Sequence, residues 1–329
     1  MNPGPSAAID DELWALVLGL QRRAAVAGAA PTEPVAYRLE PRWGLSPLQP
    51  DEHRGAVLIQ DPDGHWRCGP ALAKGRRAAA RPLLRLYLPL FSTTLAPGWT
   101  VAHLGQSLDG CIATHSGDSC FVTGVENIRH LHRMRALADA VIVGAGTVVS
   151  DDPRLTTRLV PGPSPVRVII DPMRRLADHY RVFQDGAAET LLCCSHEHAG
   201  ARVRHGQAEV VPVATKAGSL DLIGLKSELR GRGLRRLFVE GGGVTVSRFV
   251  AAGAVDRLQV TVAPVLIGQG RPGIVLPRVS SLSEALRAPA QVVAMGEDTC
   301  YELDLGTARS RPDANSGSKS ESKSGSGSI

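Results

Sequence analysis

The stretch Leu237-Phe238-Val239-Glu240-Gly241-Gly242-Gly243-Val244 decides the fold class, because an apolar run ends in a carboxylate and three glycines just before a helical pattern begins. A short apolar run bounded by glycine is typical of a buried strand. The glycines leave the backbone N–H groups of the helix start accessible, and such a helix start binds phosphate. The stretch therefore predicts a strand-to-helix junction of an α/β protein, and it suits either an anion site or a plain flexible connection.

Similar apolar runs recur on both sides of this junction. They are Thr100 to Leu104, Ala140 to Val143, Val166 to Ile170, Thr190 to Cys194, Val210 to Val213, Arg236 to Val239, Leu258 to Val265 and the stretch from Gln291 to Leu305. Helical spacing separates several of them, and strands that alternate with helices form a mostly parallel sheet. No strong helical pattern lies between the last two runs, so we predict an antiparallel edge there.

The composition indicates a globular protein with a small anionic ligand. The chain has 329 residues, of which 43% are hydrophobic, and this supports a sizeable core. The net charge is +5, but only 4% of the residues are aromatic and no continuous basic tract occurs, so nucleic acid is a poor candidate partner. No segment approaches the roughly 20 apolar residues of a membrane span. The 6 cysteines form no C-x-x-C pair. We therefore expect a cytoplasmic protein with reduced thiols and no membrane or nucleic-acid partner.

The first part of the chain has its own pattern. Residues 10 to 29 have the spacing of an amphipathic helix. Ala56 to Gln60 and His65 to Cys68 flank a Pro- and Gly-containing turn, which predicts a β-hairpin. The apolar run Leu83 to Phe91 is predicted to be another strand.

Two composition changes suggest the domain organisation. Ala96-Pro97-Gly98 interrupts the pattern, so we predict a small N-terminal α+β module of unknown role over residues 1–97 and a main domain over residues 98–306. Residues 307–329 are almost free of apolar side chains, which predicts a disordered tail.

Four polar or glycine-rich turns follow predicted strands. They are Ser107-Leu108-Asp109-Gly110, Gly144-Ala145-Gly146-Thr147, Asp151 to Leu155 and Glu240 to Gly243. Open α/β proteins bind ligands along the rim where parallel strands end, so we predict the active site at this rim. Gly144 and Gly146 would let a ligand approach the backbone, but Val149 stands where the Rossmann fingerprint needs its third glycine, so that fingerprint is absent.

The loop from Asp151 to Arg158 alternates acids and arginines. Arg154 and Arg158 are suited to clamp a phosphate, and Asp151 to accept a hydrogen bond from a ring N–H or a ribose hydroxyl. A solvated loop with local salt bridges is the alternative. His196-Glu197-His198 lacks a third ligand at zinc spacing, so no metal site is expected. Zinc-deaminase and Gly-x-Ser-x-Gly hydrolase signatures are absent from the sequence.

Taken together, these segments resemble the reductase domain of the riboflavin-pathway deaminase/reductase, a member of the dihydrofolate-reductase-like superfamily. The resemblance runs from about Val101 to Leu305. Its segments are Ser107 to Gly110, Ser119 to Thr123, Leu131 to Arg135, Gly144 to Arg158, Val168 to Asp171, Val239 to Gly243, and Gly253 to Asp256 through Ala263-Pro264. The resemblance implies a three-layer α/β fold without the deaminase domain, whose zinc signature residues 1–97 lack.

The resemblance also implies NADPH-dependent reduction of the phosphoribosylamino group of an aminopyrimidine to the ribitylamino form, as in riboflavin biosynthesis. The predicted cofactor contacts are Phe121, Gly144, Gly146, Thr147, Asp151, Arg174, Gly241, Gly242, Gly243, Val244 and Thr245. The predicted substrate contacts are Ser107, Ser119, Arg135, Arg154, Leu155, Arg158 and Glu240. Asp109 and Asp151 are the candidate catalytic carboxylates, and the sequence leaves open whether either one or a water relays the proton. Arg174 follows the strand that ends at Ile170 and is predicted to pair with the adenosine 2′-phosphate.

Two other functions remain open at this point. One is a reductase of the same fold that acts on a pterin or a specialised-metabolite heterocycle. The other is a nucleotide-binding or scaffold protein that binds NADPH without turnover. An uncovered antiparallel C-terminal edge would invite pairing with a second copy, so we expect a homodimer.

Overall fold

The computed structural model describes residues 5–24, 31–40, 44–72, 81–92, 98–120, 122–201 and 203–306. Phe121 and the predicted tail over residues 307–329 lie outside the described residues. None of the helices in these ranges combines the length and the apolar character needed to cross a bilayer.

The N-terminal elements form a helix, a small antiparallel sheet and a second helix. They are α1 (Pro5–Ala24), β1 (Val35–Glu40), β2 (Gly44–Pro47), β3 (Leu58–Gln60), β4 (Trp66–Cys68) and α2 (Arg81–Tyr87), with 3₁₀ turns at Pro50–Gly55, Pro70–Leu72 and Leu88–Phe91. The sheet order is β2-β1-β3-β4. Strands β3 and β4 pair antiparallel across the Asp61–Gly64 turn, which confirms the predicted hairpin.

The remaining elements form the main α/β sheet and its helices. The strands are β5 (Thr100–Ser107), β6 (Cys111–Ala113), β7 (Ala140–Gly144), β8 (Val166–Ile170), β9 (Thr190–Ser195), β10 (Arg204–His205), β11 (Ala208–Val213), β12 (Thr215–Lys216), β13 (Ser219–Leu220), β14 (Leu237–Val239), β15 (Arg257–Ala263), β16 (Arg271–Pro272), β17 (Ala290–Met295) and β18 (Asp298–Asp304). The helices are α3 (Val125–Leu137), α4 (Ala145–Asp151), α5 (Arg181–Gln184), α6 (His196–Ala199), α7 (Leu222–Gly231) and α8 (Gly243–Ala251).

Ten of these strands form one sheet in the order β10-β11-β9-β8-β7-β14-β5-β15-β18-β17. The seven strands from β11 to β15 are parallel to one another, and β15, β18 and β17 pair antiparallel. This arrangement confirms the predicted mostly parallel sheet and its antiparallel C-terminal edge. Because β14 inserts between β5 and β7, the glycine-rich turn after β14 lies beside the ends of both strands.

Each face of the sheet carries its own apolar layer. Alternate residues of β7 show this: Val141 and Val143 pack with α3, whereas Ala140 and Ile142 pack with α7 and α8. Alternation of this kind is expected of a strand covered on both faces. The molecule is therefore layered as helix, sheet and helix.

The N-terminal elements share the first of these layers. Trp14 in α1 is buried in the same cluster as Val141 and Met134 of the main sheet and α3, and its indole Nε1 donates to Pro161 O at 2.7 Å. On α2, the Tyr87 hydroxyl lies 2.7 Å from His130 Nδ1 on α3. The N-terminal elements and the main sheet thus bury one continuous core.

The predicted strand over Leu83 to Phe91 is wrong. Residues Arg81–Tyr87 form α2, and Leu88–Phe91 form a 3₁₀ turn. A short apolar run does not distinguish a strand from a buried helix, and leucine favours the helix. Pro82 sits in the first turn, where a helix tolerates proline, and Pro89 then ends the α-helical hydrogen bonding.

Candidate active site

A cleft of about 1530 Å³ opens where the parallel strands end. Residues of three predicted turns line it, namely Gly144 to Thr147, Asp151 with Leu155, and Glu240 to Gly243. The cleft thus lies where β14 and its neighbours β5 and β7 end, which is the switch point of the sheet. Strand β16 and Gly273 also line the cleft, directly against the glycine turn.

The glycines at the cleft are required by the backbone and by close packing. Gly241 and Gly242 have φ angles of +139° and +63°, which side chains other than glycine rarely adopt. A Cβ on Gly243 would lie 2.1 Å from Gly273 O, and one on Gly144 would lie 2.3 Å from Thr245 Oγ1. A Cβ on Gly146, in contrast, would meet nothing within 4 Å. Helix α8 therefore starts with its backbone drawn tightly against the loop, and Gly146 leaves open space.

Arg135 and Glu240 join the two sides of the cleft. Arg135 Nε donates to Glu240 Oε2 at 2.6 Å, its second nitrogen donates to Oε1, and its third donates to Thr156 O at 3.1 Å. Both side chains are about 9% exposed. Burial alone would lower the pKa of Arg135, but the Glu240 carboxylate outweighs burial and raises it. This bidentate pair fixes the Glu240 side chain at the mouth of the glycine turn.

A surplus of positive charge surrounds this pair. Arg158 Nη1 donates to Thr156 Oγ1 at 3.0 Å, and its backbone N–H donates to His132 Nδ1 at 3.0 Å. Burial, followed by repulsion from Arg135 and Arg154, lowers the pKa of Arg158. Burial, followed by repulsion from Arg135 and Arg158, lowers the pKa of His132 to about 4. Arg135 and Arg158 thus both interact with the Glu240 carboxylate, and Arg154, which repels Arg158, also interacts with Asp185.

The two candidate catalytic carboxylates differ in position. Asp151 lines the cleft, and partial burial raises its pKa. Asp109 lies outside the cleft lining, where its carboxylate accepts a hydrogen bond from Ser107 Oγ and from the N–H groups of Ile267 and Gly268, the last at 2.6 Å. These hydrogen bonds, led by that of Ser107, lower the pKa of Asp109 to about 2. Asp109 therefore ties the turn after β5 to the loop after β15.

The structure brings together most of the other predicted contacts. The predicted residues that line the cleft are Gly144, Gly146, Thr147, Asp151, Gly241, Gly242, Gly243, Val244, Thr245, Ser119, Arg135, Leu155 and Glu240. Those placed outside its lining are Ser107, Asp109, Arg154, Arg158 and Arg174. Arg158 lies near both Arg135 and Arg154, each of which lowers its pKa.

Arg174 is held elsewhere by the backbone. Its guanidinium donates to Ala199 O and, at 3.0 Å, to Arg204 O. The residue itself has a positive φ of +48°, which turns the chain away after β8. The predicted contact of Arg174 with a cofactor phosphate is therefore not supported by its position in the structure.

A second, smaller cavity of about 410 Å³ adjoins the cleft and shares Ile170, Pro172 and Thr245 with it. Lys216, on the β12–β13 hairpin, and Arg248, on α8, line this cavity. Neither forms an ion pair with an acid among the described residues. No sequence motif marks Lys216, because a two-residue strand leaves no periodic pattern.

His103 and Asn127 also line the cleft, and the sequence analysis missed both. His103 lies within the apolar run of β5, and Asn127 lies in the first turn of α3. A polar residue inside an apolar run is the only signal that points to His103, and a satisfied core histidine produces the same signal.

Known proteins resemble this chain over its main sheet. The family model of the RibD C-terminal domain matches residues 99–301. The 2,5-diamino-6-ribosylamino-4(3H)-pyrimidinone 5′-phosphate reductase of Methanothermobacter thermautotrophicus is 36% identical over 216 residues, which cover 63% of this chain and 98% of that protein. The riboflavin biosynthesis protein RibD of Escherichia coli is 30% identical over 215 residues, which cover 61% of this chain and 58% of that protein.

A solved structure gives the same result. A diaminohydroxyphosphoribosylaminopyrimidine deaminase/5-amino-6-(5-phosphoribosylamino)uracil reductase of Thermotoga maritima is 27% identical, with a TM-score of 0.55 over 68% of this chain and 62% of that one. The predicted family resemblance and the predicted fold class are confirmed. Because the family model matches more than half of the chain, this protein belongs to the RibD C-terminal domain family.

Proposed function

We propose that this protein is a reductase of riboflavin biosynthesis that uses NADPH to convert the phosphoribosylamino side chain of an aminopyrimidine to the ribitylamino form. The observation that carries the proposal is that the glycine-framed start of α8 and the arginine cluster around Glu240 belong to one cleft. The first provides a site for a cofactor phosphate, and the second provides a site for a substrate phosphate. The names of the relatives, all reductases of this substrate class or RibD proteins, support the same activity.

The residues of the cleft fit a nicotinamide dinucleotide. The first N–H groups of α8, on Gly243, Val244 and Thr245, have no intrahelical acceptor and suit a phosphate. The open space beside Gly146 admits a flat ring close to the backbone. When bound, the cofactor supplies the hydride.

The second cavity supports NADPH in preference to NADH. NADPH differs by a phosphate on the adenosine ribose, and Lys216 and Arg248 would provide two cations for that phosphate. The cavity adjoins the cleft at Ile170 and Thr245, and Arg248 lines both, which supports one extended dinucleotide across the two.

The arginine cluster supports a phosphorylated substrate. Arg135 is already paired with Glu240 and Arg154 interacts with Asp185, so Arg158 is the cation left for a further anion. A phosphate there would relieve the repulsion that lowers the pKa of Arg158. Glu240, held by Arg135, would then present its remaining acceptor capacity to the sugar hydroxyls beside that phosphate.

We assign the proton transfer to Asp151. Its raised pKa and its place in the cleft lining suit a carboxyl group that gains and loses a proton near the reacting atoms. Positioning of the substrate by the arginines and the glycine turn supplies the rest of the acceleration. Asp109 takes no part in the proton transfer, because its carboxylate already accepts hydrogen bonds from Ser107 and from the backbone.

The comparison with the Methanothermobacter protein favours a second aminopyrimidine as the substrate. The Methanothermobacter relative, matched over 98% of its length, is named for the 2,5-diamino pyrimidinone, whereas the Thermotoga structure is named for the uracil. The two compounds differ at one ring substituent. Turnover with each of them would assign the natural substrate.

The test is NADPH oxidation with either phosphoribosylamino pyrimidine by the wild-type protein and by Arg158→Ala. Loss of one charge-assisted contact is expected to raise KM for the pyrimidine about 10- to 100-fold and to leave the Kd of NADPH unchanged. Arg129→Ala, on the same helix as Arg135 but outside the cleft lining, is the matched control and should behave as wild type. A wild-type protein that binds NADPH but oxidises it with neither pyrimidine would contradict the proposal.

A further inference from the structure

Two neighbouring buried histidines differ in how their ring nitrogens are used. The rings of His103 and His130 lie 5.6 Å apart. At His130, Nδ1 is 2.7 Å from the Tyr87 hydroxyl and Nε2 is 2.8 Å from Gln259 Oε1, so both nitrogens are satisfied. At His103, only Nε2 has a hydrogen-bond partner among the described residues. His130 is thus a structural residue, whereas His103 has one nitrogen left over.

The partners of His103 determine which nitrogen carries its proton. Asn127 Nδ2 donates to Thr123 Oγ1 at 2.9 Å, which leaves Asn127 Oδ1 as an acceptor. That oxygen is 2.9 Å from Thr261 Oγ1 and 2.9 Å from His103 Nε2. An amide oxygen only accepts, so Nε2 of His103 carries the proton and Nδ1 is a bare acceptor. Asn127 and Thr261 are almost fully buried, which fixes this arrangement.

Nδ1 of His103, the nitrogen without a hydrogen-bond partner among the described residues, belongs to a side chain that lines the cleft. His103 lines the cleft together with Gly105, Thr123 and Asn127. Burial, which outweighs the hydrogen bond of Asn127, lowers the pKa of His103 to about 4, so the ring is neutral near neutral pH. Nδ1 of His103 is not among the buried polar atoms that lack a partner, so it is open to the cleft, and a ligand that displaces water from it has to supply an N–H donor in return.

The spacing of residues along helix α3 indicates which part of a bound substrate lies beside His103. Asn127, Leu131 and Arg135 all line the cleft and stand four residues apart on one face. Asn127 and Arg135 are separated by eight residues, or about 12 Å along the axis. If the phosphate lies near Arg135, the end of the cleft beside His103 and Asn127 lies about two helical turns away from it. That distance places the heterocycle, not the sugar phosphate, beside His103.

We propose that His103 is a substrate-binding residue whose Nδ1 accepts a hydrogen bond from an N–H group of the aminopyrimidine ring. The network of Asn127, Thr123 and Thr261 acts through His103 by holding its tautomer and its orientation. This inference rests on the proposed function, and it adds the group that recognises the heterocycle. An acceptor that loses its water when a ligand covers it disfavours heterocycles without an N–H group at that place, which makes His103 a determinant of specificity.

Two substitutions separate the two ring nitrogens. His103→Gln places its amide near the former Nε2, so it keeps a donor for Asn127 and removes the acceptor at Nδ1. His103→Asn places its amide near the former Nδ1, so it keeps an acceptor there and removes the anchor on Asn127. The measurements are the Kd of each phosphoribosylamino pyrimidine by calorimetry, the Kd of NADPH, the melting temperature and the turnover of NADPH.

His103→Gln is expected to weaken pyrimidine binding about tenfold with the Kd of NADPH unchanged, whereas His103→Asn keeps pyrimidine affinity better and loses more thermal stability. Pyrimidine affinity that stays at the wild-type value in His103→Gln overturns the inference. If His103→Asn fails to fold, His103→Gln decides alone, together with the nitrogen NMR shift of His103 Nδ1 on adding the pyrimidine. Turnover by the wild-type protein tests the proposed function separately, and a wild-type protein that binds neither pyrimidine overturns both.

Discussion

Asp109 and Asp151 have opposite environments, although both follow predicted strands in the same half of the chain. The carboxylate of Asp109 is satisfied by a hydroxyl and two backbone N–H groups, and its pKa falls to about 2. The carboxyl group of Asp151 faces the cleft, and its pKa is raised. An acid that stays ionised suits a structural anchor, and an acid whose protonation is easier suits proton transfer.

Replacing Asp109 tests this division of roles. Its pKa in the folded protein lies below the ordinary value of 3.8, so its contribution to stability is present above about pH 4 and is lost as the pH falls through about 2. Asp109→Asn is expected to lower the free energy of unfolding at neutral pH and to keep kcat within about threefold. Denaturant unfolding between pH 7 and pH 2 should show the difference from wild type shrinking below about pH 4.

The control for this substitution is Asp118→Asn, an exposed carboxylate that accepts from the nearby Cys120 N–H. It should change stability by less than about 0.5 kcal/mol. A variant Asp109→Asn that unfolds like wild type but has lost turnover would show that Asp109 is catalytic instead.

The place of a residue in the candidate site could be predicted from the sequence where a motif follows the end of a predicted strand, as at Glu240 and Gly144. It could not be predicted where tertiary contacts decide the role. Arg174 has the right charge and the right strand, but its donors are taken by the carbonyl groups of Ala199 and Arg204. His103 has no motif at all, and only the folded positions of Asn127 and Thr261 show that one nitrogen is free.

At the scale of elements, the parallel strands were predictable because each is a continuous apolar run buried on both faces. Helix α2 was not, because seven residues are too few to show a helical period. Helix α1 was predicted over residues 10 to 29, and it begins at Pro5 in the structure. Element ends depend on local capping and on packing partners that are distant in sequence.

Helix α1 provides a test of whether the N-terminal elements fold with the main sheet. Trp14 is 3% exposed, stacks edge-on with Tyr87 at 6.0 Å and lies 5.8 Å from the guanidinium of Arg133. Trp14→Ala is expected to cost about 3–5 kcal/mol of stability, in a single transition that also removes activity. Val125→Ala, an exposed position on α3, is the control. Two separate transitions, with the activity lost only in the second, would contradict a shared core.

The hairpin β12–β13 and helix α8 provide a test of cofactor preference. Lys216→Ala and Arg248→Ala are each expected to raise KM for NADPH about tenfold and to leave KM for NADH nearly unchanged, because only NADPH has the additional phosphate. Steady-state kinetics with both cofactors measures this. Arg230→Ala, an exposed position on α7 outside both cavities, is the control. Equal losses for NADPH and NADH would show that the two cations contact another part of the dinucleotide.

At the scale of the whole molecule, the antiparallel end of the sheet is covered by the N-terminal elements on one face, and its last strand, β17, is an edge strand. Val292 on β17 is 60% exposed and Tyr301 on β18 is 43% exposed. An uncovered strand with apolar side chains invites pairing. We propose that two copies associate through this end of the sheet.

Light scattering at micromolar concentration tests the association. The wild-type protein is expected to have the mass of a dimer, and Val292→Lys to shift it toward the monomer. Val203→Lys, at an exposed valine beside β10 at the opposite end of the sheet, is the control and should keep the wild-type mass. A monomeric wild-type protein, or a Val292→Lys variant that remains a dimer, would contradict the proposed interface.

The shared core of the N-terminal elements and the main sheet also bears on how the protein can be divided. Trp14 and Tyr87 are buried in the same apolar layer as Val141 and Met134. A chain cut between residues 97 and 98 therefore yields two pieces, each of which exposes apolar surface that the other piece buries in the intact protein. The pieces should therefore recognise each other when they are produced separately. Activity regained on mixing them would make this junction a split point for a fragment-complementation reporter.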